Sequence, residues 1–245
     1  MYQERASRVL PGAVVWRAEP GDGPAAPVLP DGCMDLLWAD GRLWVAGTDT
    51  RPHSTGDVTA ARFAGVRLPP GTAPALLGVP AHALVDLRVP LAELLPGVRL
   101  PGVRLPDGER TGPGAARALE DLAARLAAAA PPPDPLAAGI VAHLRAGHSV
   151  ARTAEAVGLG ARQLHRRSRE AFGYGPKTLA RVLRLRRALA LARTGMPAAE
   201  IAYAVGCADQ AHLAREVREL AGTTLGAYSA ANRETPQPSG SSTTA

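Results

Sequence analysis

Between residues 149 and 225 the chain writes one pattern twice, and this repetition limits its fold more than any other feature. The segments SVARTAEAVGLGARQLHRRSREAFGYGP (149–176) and MPAAEIAYAVGCADQAHLAREVRELAGTTL (196–225) share a plan. Each has a short helical stretch ending in Ala-Val-Gly, a tight turn, and a second helical stretch closing at a glycine. Gly158 aligns with Gly206, and Leu164, Arg166 and Gly173 align with Leu213, Arg215 and Gly222 after one residue is inserted in the second turn. Helix, glycine-containing turn, helix is the helix-turn-helix motif, whose turn needs a residue tolerant of unusual backbone angles. Ala154, Val157 and Leu164 in one unit, and Ile201, Val205 and Leu213 in the other, are spaced to pack each pair of helices together.

The opposite face of each second helix then points outward. It carries Arg162, His165, Arg166 and Arg169 in the first unit, and Gln210, His212, Arg215 and Arg218 in the second. Arginine can bond guanine O6 and N7 in bidentate fashion, and glutamine can do the same for adenine. Two such helices on the long connector KTLARVLRLRRALALAR, Lys177 to Arg193, could enter successive major grooves roughly 34 Å apart. An ordinary amphipathic bundle could carry the same arginines, but it gives no reason for the repeat.

Charge follows the same division. Residues 136–233 hold 15 Lys and Arg against 6 Asp and Glu, a net +9, whereas residues 1–135 hold 13 against 15, a net −2. A basic half beside a near-neutral half is the pattern of a polyanion-binding module attached to something else. Coding bias is the competing explanation, since all but one of the 28 cations are arginine.

On these residues the C-terminal part resembles the AraC/XylS family of transcription regulators, whose DNA-binding domain is two helix-turn-helix units joined by a long helix. The likeness is closest in IAYAVGCADQAHLAREVRELAGTT, where Ile201-Ala202, Val205-Gly206, Asp209-Gln210, His212-Leu213, Arg215 and Gly222 match the second-unit signature. It implies that Arg162, His165 and Arg166 face bases from the first unit and Gln210, Ala211, His212 and Arg215 from the second; an arginine at position 215 contacts phosphate in some members. Cys207, Ser168 and Val217 stand where the family usually has Phe, and Leu225 replaces a proline after Gly222. These departures lower the expected stability without touching a base-reading position.

The N-terminal part is written differently. Short runs such as AVVW, MDLLW, RLWVAG and ARFAGVRL, broken by Gly, Pro and Asp, predict a strand-rich barrel or sandwich. Asp40-Gly41 in ADGRLW signals a hairpin. Residues 72–95 read as short helical pieces with proline stops, placed to cover one side of the sheet, and 95–114, with PGVRL written twice, reads as a loop. Ala115 to Ala130 has Leu119, Leu122 and Leu126 at helical spacing but is too short to stand alone and needs a partner. LPDGCMDLLW, Leu29 to Trp38, with VAGTDT following, resembles the N-terminal domain of a subset of AraC-like regulators. In the wider family this position holds a cupin-like barrel that senses a small molecule or mediates dimerisation.

Several functions are disfavoured. A cupin metal centre needs His-x-His with a nearby Glu and a further His, and this half has only the isolated His53 and His82. Asp31-Gly32 is expected to form a turn and Cys33 to pack in the core, so we expect no catalytic site, metal or cofactor. One cysteine cannot build the cluster that alkyl-transfer repair requires. Trp16, Trp38 and Trp44 either fill the core or line an aromatic pocket. Two distant cysteines imply no disulfide framework and fit a reducing cytoplasm. Leu68 to Val85 is uncharged but carries four prolines, which would break a spanning helix.

The expected organisation is therefore an α+β, two-domain chain. Residues 1–114 form a β-rich, cupin-like sensor or dimerisation domain with short helices, and 115–135 a helix and proline-rich linker. Residues 136–231 form an all-α AraC-type DNA-binding domain, and 232–245 a disordered tail. Double-stranded DNA is the expected partner; a small-molecule effector, a second copy of the chain and RNA polymerase are left open. The alternative is a ligand-binding or enzymatic barrel with a secondary DNA-binding module. Within the second unit, Cys207 is expected to act as a small buried hydrophobe and His212 to point the other way, toward DNA, so that the two could not share an ion.

Overall fold

The period-two alternation of the N-terminal runs builds one antiparallel sheet. The computed structural model describes residues 2–19, 27–39, 42–54, 62–96 and 113–234. Six strands, β1 (Tyr2–Ala6), β2 (Val14–Ala18), β3 (Met34–Ala39), β4 (Arg42–Ala46), β5 (Phe63–Leu68) and β6 (Arg88–Pro90), lie in the order β1-β2-β5-β3-β4-β6. Alternate residues Met34, Leu36, Ala64, Val66, Leu68 and Val45 share one core. Their neighbours Asp35, Gly65 and Arg67 fall on the opposite face, as strand geometry demands. β3 and β4 pair antiparallel with Ala39 opposite Arg42, as the hairpin signal predicts; Asp40 and Gly41 themselves lie outside the described residues.

The cover over that core is mainly helical. Helix α1 (Ala73–Leu77) and the four-residue α2 (Leu91–Leu94) flank the sheet, and α3 (Pro113–Ala129) lies across β2, β3 and β5. Leu119 and Leu122 of α3 have no exposed surface and pack with Val15, Leu36 and Val66. Each contributes about 1.5 to 3 kcal/mol by burial, which makes the sheet the partner this helix needs. Residues 88–90 depart from the expected helical reading. They add an edge strand whose Val89 faces Val45 and whose Pro90 faces Trp44. Proline lacks an N–H and is tolerated there because an edge strand need not donate on its outer side. The PGVRL repeat lies outside the described residues.

From Asp134 onward the chain is helical. α4 (Pro135–Arg145), α5 (Val150–Ala156) and α6 (Ala161–Phe172) share a core with Leu179, Val182 and Leu183 of α7 (Pro176–Arg193). The other half of α7, Leu185, Ala188, Leu189 and Ala192, packs with α8 (Ala198–Ala204), α9 (Gln210–Ala221) and α10 (Leu225–Glu234). One helix of 18 residues, about 27 Å long at 1.5 Å per residue, thus belongs to both units. α10 continues to Glu234, and the expected disorder of the remaining tail lies outside the described residues.

Candidate nucleic-acid interface

The two turns are built alike, hydrogen bond for hydrogen bond. In the first, Val157 N donates to Thr153 O, Gly158 N to Glu155 O, and Leu159 N to Ala154 O. In the second, Val205 N donates to Ile201 O, Gly206 N to Tyr203 O, and Cys207 N to Ala202 O. Gly158 and Gly206 have φ of +67° and +74° with nothing within 4 Å of a would-be Cβ, so backbone conformation rather than space requires glycine here. Asp209 then caps α9, accepting from His212 N at 2.6 Å, while Gly160 begins α6 with its N–H on Gln163 Oε1 at 3.0 Å. The second helices end in left-handed caps, Gly173 and Gly222.

Each second helix divides cleanly into an inner and an outer face. Leu164, Ser168 and Phe172 of α6 are fully buried, as are Leu213 and Val217 of α9, nearly so. Arg162, His165, Arg166 and Arg169 are exposed on α6, and Gln210, Ala211, Arg215 and Arg218 on α9. On the α6 face, among the described residues, ion pairs join Glu170 to Arg166 and Arg167, each at 3.9 Å. Exposed pairs of this kind are worth 0 to about 1 kcal/mol, leaving Arg166 available to a stronger anion. His165 is exposed but leans on the α6–α7 junction: a Cβ at Gly175 would stand 2.8 Å from its Nε2.

His212 departs from expectation. It is half-buried, and its Nδ1 accepts a long hydrogen bond from Ala208 N at 3.3 Å. A ring nitrogen lies within 4.8 Å of both the Cys207 sulfur and the Glu216 carboxylate. The cause is general: helical side chains lean toward the helix N-terminus, and the turn carrying Cys207 lies just N-terminal to α9. Cys207 is buried as expected; burial and Glu216 push its thiol pKa up.

The sequence reading missed Glu216. It is 8% exposed and accepts from Arg181 Nε at 3.1 Å and from Arg184 Nη1 at 3.0 Å on both carboxylate oxygens. Arg181 also pairs with Glu219. These bonds fasten the outward-facing helix α9 to the shared helix α7. A signal existed, because Glu216 stands three residues after Leu213 and beside Val217, on the buried arc of α9.

The N-terminal half touches both units. Thr48 Oγ1 donates to Phe172 O at 3.0 Å, and Arg186 Nη1 donates to Asp31 O at 3.4 Å. Leu29 packs against the core of the second unit, and a Cβ at Gly222 would stand 3.2 Å from Pro52. Asp31 also accepts from Cys33 N at 2.8 Å, with Gly32 at φ +80°. Behind this turn Arg67, 6% exposed, lies 3.3 Å from Asp31 and 3.4 Å from Asp35. Burial opposes the Arg67 charge, and the two carboxylates outweigh it, raising its pKa. Trp16 donates to Asp35 at 2.5 Å and covers Gly65, whereas Trp38 packs into the core on the other face. Those two tryptophans therefore do not converge on one pocket.

Two helix-turn-helix units on a shared helix, each with a cationic outer face, have the form of a DNA-binding module. Residues 153–231 match the family model described as a helix-turn-helix domain, and residues 13–90 match a domain of unknown function (DUF6597). The chain thus joins a helix-turn-helix domain to this N-terminal domain. Among solved structures, ToxT from Vibrio cholerae O395 aligns over 93% of this chain and 96% of its own, at 12% identity and a TM-score of 0.46. A ToxT structure bound to (E)-4-(8-methylnaphthalen-1-yl)but-3-enoic acid aligns over 93% of this chain and 97% of its own, at 11% identity and a TM-score of 0.48. The xylose-binding transcription activator xylR aligns over 48% of this chain at 19% identity and a TM-score of 0.36; this chain spans 39% of its length. No curated protein sequence matches. No helix among the described residues is long and apolar enough to cross a membrane.

Proposed function

We propose that the protein is a sequence-specific regulator that reads two successive major grooves, with α6 in one and α9 in the next. The observation that carries this reading is the duplication of turn geometry at the two ends of α7, with an exposed polar face on each second helix. Arg162, His165, Arg166 and Arg169 face the first groove; Gln210, Ala211, Arg215 and Arg218 face the second, with His212 at its inner edge. Phosphate contacts by the +9 half set affinity and register, and base contacts set sequence preference. The contacts of Asp31, Thr48, Leu29 and Pro52 with the helical half support control through the N-terminal domain, by a small effector or by pairing of two chains. Either event would act by changing how the two units are held relative to each other.

Selection of binding sites from random duplex DNA tests the reading. The expected site has two half-elements about one helical turn apart; enrichment of a single short element would refute two-groove reading. Arg166→Ala and Gln210→Ala should each relax preference at one position, at a cost of about 1 to 3 kcal/mol for its base. Uniform weakening across all sequences would mark them as backbone contacts. Binding should also fall steeply with salt, as counterion release requires.

A further inference from the structure

The second unit places three metal-ligating side chains around one point. Cys207 lies in the turn between α8 and α9, and His212 and Glu216 follow at i and i+4 on α9. One ligand atom from each lies within 4.8 Å of the others, with the Cys207 sulfur 4.0 Å from Glu216 Oε2. No other such group of three His, Cys, Asp or Glu is found among the described residues. The donors are one sulfur, one imidazole nitrogen and one carboxylate oxygen, and two of the three side chains are buried.

We propose that Cys207, His212 and Glu216 form a zinc site that staples the turn of the second helix-turn-helix to α9. In a tetrahedral zinc site with Zn–S near 2.3 Å and Zn–N and Zn–O near 2.0 to 2.2 Å, ligand atoms stand roughly 3.3 to 3.7 Å apart. Rotation of the three side chains by about 1 Å closes the difference. A thiolate and an imidazole select a borderline ion such as Zn2+ over Mg2+ or Ca2+, which prefer oxygen cages. On binding, the Cys207 S–H bond breaks, its electron pair forms the S–Zn bond, and the proton leaves to solvent. Thiolate and carboxylate supply two negative charges to the ion, and the carboxylate also carries the ion pairs with Arg181 and Arg184. Arg181 and Arg184 serve as outer partners: their hydrogen bonds orient the Glu216 carboxylate, as such bonds do around metal sites generally. Water would take the fourth position.

The consequence is a second function for His212. A ring held on zinc faces the turn rather than the groove, so metal occupancy fixes the start of α9 and removes this side chain from base contact.

The test uses the full chain, free of affinity tags, reduced and stripped with chelator, and titrated with Co2+ as a spectroscopic stand-in and then with competing Zn2+. One ion per chain should bind, with a thiolate-to-cobalt charge-transfer band that Zn2+ abolishes. Cys207→Ser should remove that band, and Cys207→Ser and His212→Gln should each weaken Zn2+ binding by at least about tenfold. Each variant should also lose the rise in unfolding temperature that Zn2+ gives the parent. His143→Gln is a control, because the His143–His148 pair, with its Nδ1 atoms 3.0 Å apart, is a two-nitrogen alternative. Absence of saturable binding at micromolar metal overturns the proposal. So does a charge-transfer band that persists in Cys207→Ser, or binding that His143→Gln abolishes and Cys207→Ser does not.

Discussion

Replacing Glu120 by glutamine removes one charge from the junction between α3 and the sheet while keeping the side chain's shape. The carboxylate accepts from Arg5 Nη2 at 2.6 Å, Arg5 Nη1 at 3.3 Å, Ser7 Oγ at 2.7 Å and Arg8 N at 2.7 Å. The hydrogen bonds from Arg5, acting against burial and helped by Ser7 and Arg8, hold its pKa down at about 2 against an ordinary 4.5. At 1.36 kcal/mol per pH unit that difference corresponds to about 3 kcal/mol. The Arg5 side chain is 42% exposed, and solvent screening brings the expectation to about 2 kcal/mol. Because the folded pKa lies below the unfolded one, the stabilisation is complete well above pH 4.5 and is lost as pH falls toward 2. Urea unfolding followed by tryptophan fluorescence is the appropriate assay, since all three tryptophans lie in the N-terminal half. Glu120→Gln should be about 2 kcal/mol less stable than the parent at pH 7, with the gap shrinking to less than half of that by pH 3. A gap that is absent at pH 7, or that stays constant between pH 7 and pH 3, would refute the assignment.

Two substitutions in the second unit separate backbone strain from packing. Gly206→Ala has open space around it but imposes φ of +74° on an alanine, and should cost about 1 to 2 kcal/mol in calorimetric unfolding of the helical half. Leu213→Ala empties a site that is 2% exposed and should cost about 2 to 5 kcal/mol, with DNA affinity falling as the fraction folded falls. Arg218→Ala, on an exposed position, should leave unfolding within about 0.5 kcal/mol of the parent, so that any loss of DNA binding reports contact rather than folding.

Much of the helical half was legible because its signals are local. A glycine in the turn and leucines at helical spacing each act within a few residues. The repeat writes both signals twice, so both units and the connector followed from the text. The strand-rich half was legible in kind, since alternation identifies strands. It does not say which strands become neighbours: β5 lies between β2 and β3, a pairing that loop closure and shared burial decide. Residues 88–90 misled because a proline beside a short apolar run also describes a helix end.

The sequence by itself determined the two helix-turn-helix units, the buried and exposed faces of α6 and α9 apart from His212 and Glu216, and the split of charge between the halves. These depend on helical period and composition, which need no knowledge of distant residues. Only the tertiary structure decided that Glu216 meets Arg181 and Arg184 across more than thirty residues, that Asp35 and Arg67 share a buried face of the sheet, and that His212 turns back toward Cys207. Helical period tells which side of a helix a residue occupies. Where its side chain leans, and what stands there to meet it, depends on how the turn before it and the helix beneath it have packed.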